Sequence, residues 1–180
     1  MKYVTRTEWH HRGPLGVPLK RENIRGVWLH HTVTKPTDDP AYDARGINNI
    51  GIARFGMLSY SWLVHPDGTV LEGQGDTRGA HTAKQNSTSL GVACIGNYEK
   101  DEPTAAMLKA VADLLRHLDL PLLGGHRDVK ATACPGRHLY ARIPDLQRAA
   151  RTPVVQRSAT PDVRDGWRRH LERIKARRAR

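Results

Sequence analysis

The residues with the most chemistry in them are His126 and Cys134, eight positions apart in His126-Arg-Asp-Val-Lys-Ala-Thr-Ala-Cys134-Pro-Gly, and the pair His30-His31 far upstream. Two imidazoles and one thiolate, where they converge, make a three-ligand site with a fourth position open. That is the donor set of a catalytic zinc, since structural zinc sites fill all four positions from protein. The open position matters because zinc-bound water ionises near neutral pH. His30 and His31 are adjacent at the end of an apolar strand and therefore point to opposite faces, so only one of them can join such a site. Tyr60 offers a phenol that can reach a carbonyl oxygen polarised by the metal. No His-Glu-x-x-His helix is present to supply a glutamate base, which leaves proton handling to Tyr60, a histidine or the metal hydroxide. His126-Arg-Asp also reproduces a triplet of the kinase catalytic loop, but no glycine-rich phosphate loop or strand lysine accompanies it.

The elements that must position these groups alternate between strand and helix. Residues 1 to about 26 read as irregular, broken by Gly13-Pro14 and Gly16. Val27 to Leu29 is a short strand running into His30. Asp38-Asp-Pro40 introduces a helix over 41–55 whose Ile47, Ile50 and Arg54 spacing gives a partly buried face. Tyr60 to Val64 and Thr69 to Glu72 read as strands joined by the turn Pro66-Asp67-Gly68. Gly73 to Ser89 is a loop, and Leu90 to Gly96 is a central buried strand. From Pro103-Thr104 a helix carries Met107, Leu108, Val111, Leu114, Leu115 and Leu118 at spacings of three and four. Leu122-Leu123 is an apolar stub leading to His126. A last helix covers about 138–149, interrupted or started by Pro144. The fold class this predicts is α/β: a single domain with a central mixed β-sheet flanked by helices, over residues 1–150. Residues 151–180 form a basic tail, a linker followed by a short basic helix over about 164–178.

The chain of 180 residues is enough for one such domain. No stretch approaches the roughly 18 to 20 apolar residues of a membrane span. The N-terminus has no apolar signal-peptide core, which predicts cytoplasmic synthesis, with any action outside the cell following release by another agent. Cys94, inside an apolar run, reads as a small buried hydrophobe, whereas Cys134, on a loop beside Pro135 and Gly136, is the cysteine placed for chemistry. The net charge of +11 is unevenly spread: from Arg151 onward ten Lys/Arg face three Asp/Glu. Such a tail favours a polyanion, whether an anionic cell-wall polymer or a membrane surface. No base-reading motif is visible, so no specific nucleic-acid partner is expected, and the chain is expected to act as a monomer.

Several further stretches carry a resemblance. Arg6-Thr-Glu-Trp9, Leu29-His-His-Thr32, Tyr60-Ser-Trp, Asp67-Gly-Thr-Val-Leu-Glu-Gly73, Gly79-Ala-His81, Ser89-Leu-Gly-Val92, Gly96-Asn-Tyr98 and Gly125-His-Arg-Asp128 through Cys134-Pro-Gly136 occur in order over roughly residues 4 to 145. Together they resemble the zinc N-acetylmuramoyl-L-alanine amidases, a family that includes phage endolysins and the peptidoglycan recognition proteins of animals. The resemblance implies one zinc ion (Zn2+) per chain, held by His30, His126 and Cys134, with His31 beside the site or in the core. It matches Tyr60 to the family's catalytic tyrosine. The activity it implies is hydrolysis of the amide between the lactyl group of N-acetylmuramic acid and L-alanine in peptidoglycan, most like a phage endolysin. Alternatives within the resemblance are a non-hydrolytic recognition module and a bacterial autolysin or recycling amidase. Thr132 stands where many phage amidases carry lysine and where recognition proteins commonly carry threonine; a neutral hydroxyl there stabilises an oxyanion less than an ammonium would. His81 matches a histidine lining the substrate groove, and Asn86 and Arg78 are candidate muropeptide contacts.

Overall fold

The computed structural model describes residues 2–151. The linker beyond Arg151 and the basic helix expected over 164–178 lie outside the described residues. The elements run β1 (Lys2–Val4), β2 (Gly26–His31), α1 (Pro40–Phe55), β3 (Trp62–Val64), β4 (Thr69–Glu72), β5 (Ser89–Cys94), α2 (Ala105–Leu118), β6 (Leu122–Gly125), α3 (Arg137–Tyr140) and α4 (Ile143–Arg151). Short 3-10 turns occupy Arg21–Asn23 and His126–Asp128.

The six strands form one mixed sheet in the order β1-β4-β3-β5-β2-β6. Only the β3–β4 hairpin, closed by Asp67-Gly68, is antiparallel; every other pairing is parallel. The central strands β5 and β2 are buried along their whole length, as parallel strands covered on both faces must be. Alternation then sorts their side chains. Val27 and Leu29 of β2 join Leu90, Val92 and Cys94 of β5 in a core with Met107, Val111, Leu114 and Leu115 of α2 and Leu146 of α4. On the other face Leu63, Leu71 and Ala93 pack with Ala44 and Ile47 of α1 and with Trp9. His30 falls on this second face, because Leu29 faces α2.

Helix α1 starts where Asp39 Oδ1 accepts the N–H groups of Ala41 and Tyr42, with Pro40 in the first turn, and stops at Gly56 (φ +76°). Its buried residues are Asp43, Ala44, Ile47, Asn48 and Gly51, while Ile50 lies exposed. The face expected from Ile47, Ile50 and Arg54 is therefore corrected: the stripe runs through Ala44, Ile47, Asn48 and Gly51. Gly51 belongs to it because a Cβ there would lie 2.8 Å from the Met57 carbonyl oxygen. Helix α2 is capped by Thr104, whose Oγ1 accepts from Met107 N–H.

Three expectations change near the ends. The first 26 residues are not wholly irregular: β1 adds a parallel edge strand to β4, and Trp9 is fully buried with its indole N–H donating to Glu72 O at 2.8 Å. The stub at Leu122 is an edge strand, β6, paired with β2. The helix expected over 138–149 is two, α3 and α4, with Pro144 in the first turn of α4, where its missing N–H costs nothing.

Leu29 is fully buried one residue before His30. Leu29→Ala is expected to lower the unfolding free energy by about 2–5 kcal/mol, read from urea denaturation.

Candidate functional site

Strand pairing alone brings the two histidines together. Leu29 pairs with Gly125 across β2 and β6, so His30 and His126 each stand one residue beyond the same rung, with ring centroids 4.7 Å apart. Cys134 arrives on the loop after the 3-10 turn, its Sγ 3.6 Å from His30 Nδ1. One ligand atom from each of His30, His126 and Cys134 lies within 4.8 Å of the others. Donors around a tetrahedral zinc stand about 3.3–3.8 Å apart, so the Cys134–His30 spacing already matches. His126 Nε2 is buried without a hydrogen-bond partner in the protein, an arrangement a metal ligand would relieve. The residues present thus fit a tetrahedral cation with one open position.

The choice left open between His30 and His31 falls to His30. His31 turns to the opposite face, where its Nδ1 accepts the Tyr98 N–H at 3.2 Å. Its backbone still serves the site, since the His31 N–H approaches Cys134 Sγ at 3.5 Å.

Burial dominates the electrostatics. Desolvation, reinforced by His81 and His126, holds His30 well below the usual histidine range. Burial and then Lys130 lower His126. Both rings are therefore neutral near pH 7, the form that ligates metal. Burial pushes the Cys134 thiol up to about 11, opposed by the His31 N–H and the Arg127 guanidinium. A divalent cation beside the sulfur would reverse that balance.

Tyr60 stands beside His30, ring centroids 5.4 Å apart. Burial, and secondarily Cys134, pushes its phenol up to about 12. Its O–H is kept as a donor, which removes Tyr60 as a base at neutral pH. Thr132 is exposed, and its Oγ1 accepts the Cys134 N–H at 3.3 Å, which leaves its own proton free to donate outward.

The expectation of a substrate-lining His81 is corrected. His81 is only 5 % exposed and lies edge-on against His30 at 5.4 Å. Its ring fills the space over Gly91, where a Cβ would come within 2.5 Å of His81 Cγ. Asn86, expected to contact a ligand, instead accepts the Thr82 N–H on Oδ1 at 2.8 Å. Arg78 is exposed, as a ligand contact would need.

Two groups of supporting residues escaped the sequence reading. Arg127 donates from its guanidinium to Ala133 O, lies 3.5 Å from Glu99 and covers the Tyr140 ring at 4.8 Å. Asp128 accepts Gly125 N–H at 2.8 Å and Tyr140 O–H at 2.6 Å. These contacts clamp the loop that carries both His126 and Cys134. The signal was present in the motif Gly125-His-Arg-Asp128, which carried the resemblance, but its Arg127 and Asp128 were given no role of their own. The second group is Thr82, for which the sequence held no comparable signal.

A mixed α/β domain that gathers a His, His, Cys cluster at the ends of β2 and β6 offers the donor set of a candidate metal site. The family model for N-acetylmuramoyl-L-alanine amidase (Amidase_2) matches residues 20–137, and the chain belongs to that family. It is 37% identical over 153 residues to a peptidoglycan recognition protein of Bombyx mori, covering 78% of each. It is 38% identical over 146 residues to an N-acetylmuramoyl-L-alanine amidase of Sus scrofa, covering 71% of this chain and 23% of that one. A solved structure of peptidoglycan recognition protein-LE in complex with tracheal cytotoxin, described as monomeric diaminopimelic acid-type peptidoglycan, superposes with a TM-score of 0.72. That match has 31% identity and covers 79% of this chain and 92% of that one.

Proposed function

We propose that this chain is a zinc-dependent amidase that hydrolyses the bond between N-acetylmuramic acid and L-alanine in peptidoglycan. The observation that carries the proposal is the convergence of His30, His126 and Cys134 within 4.8 Å, with the Tyr60 phenol alongside. Bound zinc would supply Lewis-acid polarisation of the scissile carbonyl and acidification of water. The protein's own contribution is positional. His30 and His126 present neutral rings, and the clamp of Arg127 and Asp128 fixes the loop between the two later ligands. Tyr60 Oη holds its proton and donates it as a hydrogen bond to the oxyanion that develops on the carbonyl oxygen. Thr132 adds a weaker hydroxyl donor at the exposed edge. Arg78 offers a guanidinium for a stem-peptide carboxylate.

The test is to incubate the full chain with purified peptidoglycan and count new L-alanine N-termini against new reducing sugar ends. Amine release without sugar ends is expected; sugar ends without amines would overturn the reading. A second reading, a module that binds peptidoglycan without cutting it, draws support from the relatives named as recognition proteins. It predicts retention on insoluble peptidoglycan with no amine release.

Within the amidase reading, we assign the chain to lysis of a bacterial host in the manner of a phage endolysin, with the basic residues from Arg151 onward engaging anionic wall polymer. Removing residues 151–180 is then expected to lower lysis of whole cells while leaving cleavage of soluble muropeptide unchanged. Equal loss in both assays would contradict that role for the tail.

A further inference from the structure

We infer that the Ser89 carbonyl, acting through His81 and Thr82, sets the tautomer of His30 so that its Nδ1 lone pair faces Cys134 and His126. The inference deepens the metal-site reading above and rests on it for its purpose, but the tautomer itself is a property of the metal-free protein. His81 Nε2 lies 3.3 Å from Ser89 O. A carbonyl oxygen only accepts, so that nitrogen carries the proton. The neutral ring then has its lone pair on Nδ1, which stands 3.0 Å from Thr82 Oγ1. The hydroxyl donates there, and its single proton is spent. Thr82 Oγ1 also faces His30 Nε2 at 3.3 Å, where it can now only accept, so His30 Nε2 carries the N–H. His30 Nδ1 is left bare, 3.6 Å from Cys134 Sγ.

The polarity of this chain has one solution because its far end is an acceptor with no alternative. Nothing competes from solvent: Ser89 and Thr82 are each 1 % exposed. Thr82 is held in place through its own N–H by Asn86 Oδ1, and the His81 ring is seated by the missing side chain of Gly91. Both imidazoles lie inside the protein, His30 at 1 % and His81 at 5 % exposure. Thr82 is therefore a positioning residue. Two side chains expected to touch substrate, His81 and Asn86, hold it in place instead.

The test uses the full chain in three forms: wild type, Thr82→Val, which keeps the shape and deletes the hydroxyl, and Thr82→Ser, which keeps the hydroxyl. Zinc affinity is measured by competition with a chelator, with near-ultraviolet circular dichroism reporting the fold. Thr82→Val is expected to weaken zinc binding about 10–100-fold and Thr82→Ser by less than about threefold, the size range seen when the partner of a metal-bound histidine is removed. In parallel, long-range 15N–1H correlation on the metal-free wild type is expected to show His30 protonated at Nε2. A folded Thr82→Val protein that binds zinc as tightly as wild type overturns the inference, as does His30 protonated at Nδ1. Should Thr82→Val fail to fold, the wild-type tautomer decides alone. A wild type that binds no zinc would instead overturn the metal reading, while its tautomer still tests this inference.

Discussion

Replacing Cys134 by serine is expected to abolish both zinc retention and amide hydrolysis while leaving the fold intact. The sulfur is the one donor of the three that becomes anionic, and serine keeps the shape but does not ionise near neutral pH. The two remaining histidines would hold zinc weakly. If the ion contributes roughly 4 kcal/mol to the barrier, amine release falls at least about a thousandfold. Cys134 sits on a loop and is only partly buried, so the sheet and both cores should be untouched, as near-ultraviolet circular dichroism would report. A variant that keeps one zinc and wild-type turnover would remove Cys134 from the ligand set. Cys94 is the internal control. It is fully buried, and burial pushes its thiol up, so Cys94→Ala should cost stability without changing zinc content.

Tyr60→Phe separates binding from chemistry. The ring remains to pack beside His30, and no ligand changes, so zinc content should match wild type. What is lost is a single O–H donor aimed at the developing oxyanion. Loss of one such donor costs about 100- to 1,000-fold in kcat, or about 2.7–4 kcal/mol. Because the donor strengthens in the transition state rather than in the ground state, KM should change little. A fall in KM-dependent binding with kcat preserved would make Tyr60 a substrate contact. Loss of zinc would make it a support for His30.

The sequence reading succeeded where period and punctuation agree. The stripe of Met107, Val111, Leu114 and Leu115 and the Asp67-Gly68 turn each carry a local physical signal, and α2 and the hairpin follow them. β1 was missed because three residues, Lys2–Val4, hold no period of their own; the strand exists only because β4 offers an edge. Ile50 misled because helix phase is set by what packs against α1, and Gly51 with Ala44 permits the closer approach. The candidate ligands were legible because His126 and Cys134 stand eight apart in one loop and the motifs around them and around His30 carry the resemblance. Their supports were not, since Thr82 reaches His30 across 52 positions of chain and nothing local marks a threonine as the partner of a distant imidazole. His81 shows the converse. Its type and motif invited a role at the surface, and only the gap above Gly91 places it beneath the site.

The measurement closest to the central claim is a zinc titration of chelator-stripped protein, following release of L-alanine N-termini from soluble muropeptide at each step. Activity is expected to rise in proportion to zinc and to level off at one ion per chain, with Cys134→Ser flat throughout. Full amine release from the stripped protein would contradict the account, and so would one tightly held zinc per chain with no amine release at all.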